Sequence, residues 1–179
     1  MGLLTFSINL TLDGCYDHRE GIADDELLDY YTQLIDAAGA MVYGRITYEL
    51  MEDAWPAIAR DESAPRAARE FARTLEGKPK YVASTTRRDF PWKNTFHVDG
   101  DLHETVRQLK EKTPRGVLVS GTVLAAALVG LIDEYRFVVH PVIAGHGPTL
   151  FQGIERTRLG LIDVKRLESG AMAMHYRRN

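Results

Sequence analysis

The sequence predicts an α/β fold: a mostly parallel sheet flanked by helices and finished by an antiparallel C-terminal strand pair. Three observations carry this reading. Apolar runs of strand length alternate with longer stripes of helical period as far as Gly130. Two of the runs reach a glycine and open directly into a helical segment, at Met41-Val-Tyr-Gly44 and at Val117-Leu-Val-Ser-Gly121. The chain then ends in two strand-like segments joined by the turn-like Glu168-Ser-Gly170.

Leu3 to Leu12 alternates loosely around Phe6, Ile8 and Leu10 and reads as the first strand, broken by Asp13-Gly14. After a polar loop, Asp24-Asp25-Glu26 places acids at the positive end of a helix whose stripe is Leu27, Leu28, Tyr31, Leu34, Ile35 and Ala38; Gly39 stops it. Ala40 to Tyr43 is a short buried strand, and Arg45 to Met51 a short helix. Trp55-Pro56 opens a less regular region. Ala64 to Leu75 is helical, with Pro65 tolerated near its start. Lys80 to Ser84 is a strand, Thr95 to Val98 a short one, and Leu102 to Leu109 a helix. Gly116 to Val119 is a buried strand, and Thr122 to Val129 a small-residue helix. Ile132 to Ile143 is a long strand, interrupted at His140-Pro141. Leu159 to Leu167 and Ala171 to Arg177 form the terminal antiparallel pair.

The 179 residues fit one domain, 1–179, and a chain of this size buries about 70% of its unfolded surface. A net charge of −3 argues against a nucleic-acid partner, which calls for a basic face. Cys15 is the only cysteine, so no intrachain disulfide forms, as expected for a reducing cytoplasm. No signal-peptide pattern and no membrane-length apolar run is present, so no membrane partner is expected. The six histidines show no metal-ligand spacing, so no metal is expected.

Three junctions carry the chemistry. At Gly44-Arg-Ile-Thr47 a strand ends in glycine and a helix begins, which leaves backbone N–H groups at a positive dipole end, a seat for phosphate. Arg45 adds a planar cation matched to phosphate oxygens. A simple helix start capped by Thr47 accounts for the same residues. Ser84-Thr85-Thr86-Arg87-Arg88 follows a strand and sets hydroxyls and guanidinium groups where open α/β sheets bind ligands, suited to a ribose 2′-phosphate; a solvated loop is the plainer alternative. Ser120-Gly121-Thr122-Val123 lets a ligand approach the backbone, or is a plain turn. It is not a G-x-G-x-x-G fingerprint. Together the junctions imply a dinucleotide whose diphosphate lies between two of them. Tyr48 and Trp55 follow the first junction and are candidates to line a pocket for a flat substrate, core packing being the other reading.

The ordered set Thr11-Leu-Asp-Gly14, Tyr43-Gly-Arg-Ile-Thr-Tyr-Glu49, Lys80-Tyr-Val-Ala-Ser84, Val119-Ser-Gly121, Gly130-Leu-Ile-Asp-Glu-Tyr135, His140-Pro-Val142 and Gly145-His-Gly147 resembles the dihydrofolate reductase-like superfamily. It covers the chain from the first strand to Phe151. Within the superfamily the chain looks most like stand-alone relatives of the C-terminal reductase domain of bacterial bifunctional riboflavin-biosynthesis enzymes. The resemblance implies NADPH at the sheet edge. Gly44, Arg45 and Thr47 would lie at the diphosphate or adenosine phosphate, Ser84, Thr85 and Arg87 near the adenosine ribose, and Ser120, Gly121, Thr122 and Val123 over the diphosphate. The loop after Asp13 would be a mobile flap near the nicotinamide. Riboflavin-type reductases tend to carry an acid just before the third junction, where this chain has Val117, Leu118 and Val119.

The expectation is an NADPH-dependent reductase acting on a small heterocyclic or carbonyl substrate, with the proton supplied by water or by an acid near Asp13 or Glu26. The rivals are a riboflavin-pathway 5-amino-6-(5-phosphoribosylamino)uracil reductase and a non-catalytic nucleotide-binding module. The terminal strands offer an edge for a homodimer.

Overall fold

A computed structural model describes residues 1–150 and 155–179; Phe151, where the family resemblance ends, lies outside the described residues. The elements run β1 (Leu4–Thr11), α1 (Asp25–Ala37), β2 (Ala40–Gly44), α2 (Arg45–Arg60), α3 (Arg66–Gly77), β3 (Lys80–Ala83), β4 (Thr95–His97), α4 (Leu102–Lys112), β5 (Val117–Ser120), α5 (Thr122–Ala127), β6 (Glu134–His140), β7 (Leu159–Arg166) and β8 (Met172–Arg178). The eight strands form one sheet in the order β4-β3-β2-β5-β1-β6-β8-β7. The first six in that order are parallel; β8 runs antiparallel to β6 and to β7. This is the mixed sheet with an antiparallel end that the pattern implies.

Strand residues alternate between two cores because successive side chains point to opposite faces. Phe6, Val42, Val117 and Val119 pack with Val106 and Leu109 of α4 and Leu124 of α5. Met41, Tyr43 and Leu118 pack on the other face with Ile35 of α1, Tyr48 of α2 and Phe71 and Leu75 of α3. A sheet buried on both faces explains why β2 and β5 read as continuous apolar runs.

One helix departs from the sequence expectation. α2 does not stop near Met51 but continues through Pro56 to Arg60. Proline lacks the N–H that would bond the Glu52 carbonyl, so a single rung is lost. The apolar face meanwhile continues: Trp55 packs edge-on against Phe71 of α3 with ring centroids 4.5 Å apart, and Ala59 is buried. That contact across two helices outweighs the one missing bond. The long strand expected over 132–143 is also shorter, since β6 ends at His140, before Pro141.

Candidate active site at the C-terminal rim of the sheet

The parallel strands bring their C-terminal ends to one rim. Register places Gly44 beside Ala83 and Tyr43 beside Ser120, so the turns after β3, β2 and β5 stand side by side. The first and second of these turns lead into a loop and into α2, and the third into α5. The turns after β2 and β5 touch. Gly121 holds φ +113°, and a Cβ built there would lie 2.9 Å from Thr47 Oγ1 and 3.6 Å from the Gly44 nitrogen. Only glycine fits both that backbone and that gap.

α2 begins differently from α1 and α4, though like α3 and α5. Asp24 caps α1 by accepting from the Leu27 N–H at 2.8 Å, and Asp101 caps α4 by accepting from the Glu104 N–H at 2.8 Å. Gly44 caps α2 with no side-chain bond, and no acid stands in the first turn. The first N–H groups of a four-turn helix are thus left without a protein carboxylate, at one of the junctions the sequence offers as a candidate phosphate seat.

The arginines at this rim are paired. Arg45 bonds Glu49 one turn along α2, Nη1 to Oε2, at 2.8 Å. Arg87 presents its fork to Glu52, with Nη1 2.8 Å from Oε2 and Nη2 3.1 Å from Oε1, while its Nε donates to the Asp89 carbonyl at 2.8 Å. Ser84 Oγ accepts from the Thr86 and Arg87 N–H groups and curls the loop back on itself. Thr85 is exposed and Thr122 half-buried. Val123 and Ile46 stand exposed on the first turns of α5 and α2.

The aromatic candidates do not face an open cleft. Tyr48 is fully buried, with its ring near Phe90 and Trp92 and its hydroxyl donating to Glu52 Oε1 at 2.8 Å. Burial first, then the hydroxyl's bond to Glu52, push its pKa up to about 12. Trp55 is spent on Phe71. The sequence pattern put Tyr48 on α2 but left Trp55 outside the helix; the apolar stripe of the longer α2 turns both inward to the α1–α3 side of the sheet.

Neither acid proposed as proton donor keeps a proton at neutral pH. Asp13 accepts from Thr11 Oγ1 and from the Ala144 and Gly145 N–H groups at 3.1 and 2.8 Å, and these bonds, Thr11 foremost, hold its carboxyl down to about 2. Glu26 accepts from the Glu168 N–H at 2.6 Å and from Lys165 at 3.1 Å, which lowers its pKa as well. Glu168 lies in the β7–β8 turn, on the far side of β6 from the three junctions. Glu26 is therefore a tie between α1 and the terminal hairpin and is not brought to the site.

The flap after β1 is zipped to the segment after β6. Leu12 N–H donates to the Val142 carbonyl at 2.8 Å, Tyr16 N–H to that of Pro148 at 3.1 Å, and Cys15 bridges to Thr149. His140, at the end of β6 and 1% exposed, accepts from the Ile22 N–H through Nδ1 at 3.2 Å, so Nε2 carries the proton and donates to Asn9 Oδ1 at 3.1 Å. Burial lowers its pKa, and the ring is neutral at pH 7. Sequence reading missed His140 as a latch and missed Glu49 and Glu52 altogether. The i, i+4 spacing of Arg45 and Glu49 was a legible signal for the first pair; nothing local announces the second, whose partners lie 35 residues apart.

Among the described residues no helix is long and apolar enough to cross a membrane, and no group of His, Cys, Asp or Glu is arranged to hold a metal ion.

A doubly covered, mostly parallel sheet with adjoining turns at one rim and an antiparallel end is the architecture of the dihydrofolate reductase-like reductase domains. The chain belongs to the RibD C-terminal domain family, which matches residues 3–173. It is similar to the uncharacterized protein YyaP of Bacillus subtilis (strain 168), with 26% identity over 183 residues, 98% of this chain and 95% of that protein. In structure it is similar to a putative riboflavin biosynthesis protein from Shewanella sp. PV-4, with a TM-score of 0.72, 20% identity and 99% of each chain covered. RibD of Acinetobacter baumannii matches at a TM-score of 0.70 and 17% identity; all of this chain is covered but 58% of that one.

Proposed function

We propose that this chain is an NADPH-dependent reductase that transfers hydride to a C=N or C=O bond of a small heterocyclic or carbonyl substrate. One observation carries the reading: three adjoining turns at one rim, two of them touching at Gly121 and Thr47, beside an uncapped helix end. The residues fit a dinucleotide. The free N–H groups at the start of α2 and the backbone of Ser120 and Gly121 suit a diphosphate, with Arg45 alongside. Ser84 and Thr85 offer hydroxyls to the adenosine ribose, and Val123 and Ile46 give an apolar lip. When bound, the reduced nicotinamide supplies the hydride. The new C–H bond forms as the substrate's nitrogen or oxygen takes a proton, and because Asp13 and Glu26 are ionised and tied, that proton comes from water. The chain's own work is to orient the reactants under the zipped flap and to limit water.

Membership of the RibD C-terminal domain family supports the riboflavin-pathway pyrimidine reductase as the second reading. The apolar Val117–Val119 run before the third junction favours a different substrate. The exposed apolar residues of β7, Leu161, Ile162 and Val164, support a homodimer across that edge, and the lone cysteine supports a cytoplasmic setting.

The test is calorimetry with NADPH followed by turnover. Stoichiometric binding, with NADPH oxidation on addition of 5-amino-6-(5-phosphoribosylamino)uracil, selects the riboflavin reading. Binding with oxidation by other heterocycles or carbonyls only selects the broader one. Binding with no oxidation across the panel would leave a nucleotide-binding module, and no binding at all would refute the cofactor assignment. A monomeric mass at micromolar concentration would refute the dimer.

A further inference from the structure

We propose that Glu52 sets how strongly this rim prefers a 2′-phosphorylated adenosine, by occupying the guanidinium fork of Arg87 that the phosphate needs. This rests on the reductase reading above and deepens its adenosine end.

The arrangement is a built one. Arg87 is fixed on three sides. Its Nε is committed to the Asp89 carbonyl, its guanidinium lies 5.3 Å from the ring centroids of both Tyr48 and Phe90, and its two terminal nitrogens face the two oxygens of Glu52. Glu52 is fixed in turn by the buried hydroxyl of Tyr48. Glu49 adds a second carboxylate, 3.6 Å from Arg87 and 2.8 Å from Arg45. Both glutamates line a surface depression of about 540 Å³ along α2, together with Ile46, Leu50 and Asp53. The turn after β3, next in line to the start of α2, carries two arginines; Arg88 is exposed and faces Asp99 at 3.3 Å, which leaves Arg87 as the inward one.

Carboxylate and phosphate ask the same thing of an arginine: two parallel N–H donors in one plane. Glu52 already takes both, as an internal ligand that is always present. An incoming 2′-phosphate must displace it and accept the nearby charge of two carboxylates. A ribose bearing a 2′-hydroxyl meets neither obstacle, since a carboxylate accepts its hydrogen bond. The chain as it stands therefore favours NADPH over NADH by less than a free Arg87 fork would allow, and neutralising Glu52 shifts the balance further to NADPH. Gln at this position still accepts from Tyr48 and from one arginine nitrogen, but its amide N–H group cannot accept from the other, so half of the fork is released.

The experiment is calorimetric titration of the intact chain and of Glu52→Gln with NADPH, NADH, 2′,5′-ADP and 5′-ADP. Freeing one charge-assisted contact is worth roughly tenfold. The expected result is a rise of roughly that size for NADPH and 2′,5′-ADP, with NADH and 5′-ADP changed less than about threefold. Glu52→Asp keeps the charge but is one methylene short of the two-point contact, and shifts the ratio in the same direction by less; it answers the question if the Gln variant does not fold. Parallel changes for phosphorylated and unphosphorylated ligands, or a fall in the NADPH-to-NADH ratio, would overturn the inference while leaving the reductase reading standing. If the folded wild-type chain binds none of the four ligands, the reductase reading itself fails and the inference falls with it.

Discussion

Gly121→Ala tests the geometry on which the site depends. The substitution has two separable costs. A non-glycine residue at φ +113°, ψ 128° is outside every region that L side chains occupy comfortably, which costs about 1–3 kcal/mol. The new methyl also lies 2.9 Å from Thr47 Oγ1, so Thr47 must leave its rotamer, at about 1 kcal/mol. The sum is about 2–4 kcal/mol, which for a chain of this length lowers the melting temperature by roughly 4–16 °C. Urea denaturation of four proteins, namely wild type, Gly121→Ala, Thr47→Ala and the double variant, separates the two costs. Removing Oγ1 leaves the Thr47 Cβ at 3.7 Å, an ordinary contact. The glycine substitution should then cost about 1 kcal/mol less in the Thr47→Ala background than alone. A total cost below about 0.5 kcal/mol would refute the backbone argument. Additivity within about 0.3 kcal/mol would refute the contact between the two turns.

The other predictions concern the ties around the rim. The Asp13 carboxylate, drawn down to about 2, holds Ala144 and Gly145 at any pH above its ordinary value of 3.8 and releases them as pH falls through about 2; Asp13→Asn should lower amide-exchange protection at those two residues at pH 7, and unchanged protection would count against the tie. His140 has a pKa below its unfolded value of 6.5 because it is buried, with Asp24 opposing, so the unfolded chain binds more protons and stability falls as pH drops below 6.5. Imidazole NMR titration should show neutral His140 at pH 7 and faster exchange of the Ile22 amide once it protonates; an exchange rate indifferent to that protonation would remove the latch. Lys80 is fully buried and donates to the Leu75 and Lys78 carbonyls at 2.8 and 2.9 Å, closing the C-terminal end of α3. Lys80→Met should cost about 1–3 kcal/mol, read as a lower urea midpoint, because those buried carbonyls lose their donor; an unchanged midpoint would disprove the capping role.

Much of the fold was legible because its signals are local. The apolar runs of β2 and β5, the acids before Leu27 and the glycines at 44 and 121 each state their own geometry within a few residues. Pro56 misled because its local rule is correct and incomplete: proline does remove one helical bond, but Phe71, distant in sequence, decides whether the helix goes on. Tyr48 misled for a related reason. Its place next to the first junction was readable, whereas the direction of its ring depends on Phe90 and Trp92 from the loop before β4. The Arg87–Glu52 pair is the extreme case. Each residue alone reads as a solvated charge, and only the packing of α2 against the turn after β3 brings them together.

Several acids at and near the rim are spent on structural ties, and this bears on mechanism. Asp24 and Asp101 close helix ends, Asp13 ties the flap, Glu26 ties the terminal hairpin, and Glu49 and Glu52 hold arginines. For Asp13 and Glu26 the surrounding donors hold the carboxyl below its ordinary range, so neither keeps a proton to give at neutral pH. A general acid needs the opposite environment, apolar and poor in donors, which raises a carboxyl's pKa. On the proposed reductase reading, the rim places dipoles and cations around the cofactor's phosphates while solvent provides the proton. α2, α3 and α5 all begin without a side-chain cap or a first-turn acid; what sets α2 apart is that its start touches the turn after β5, where Gly121 meets Thr47.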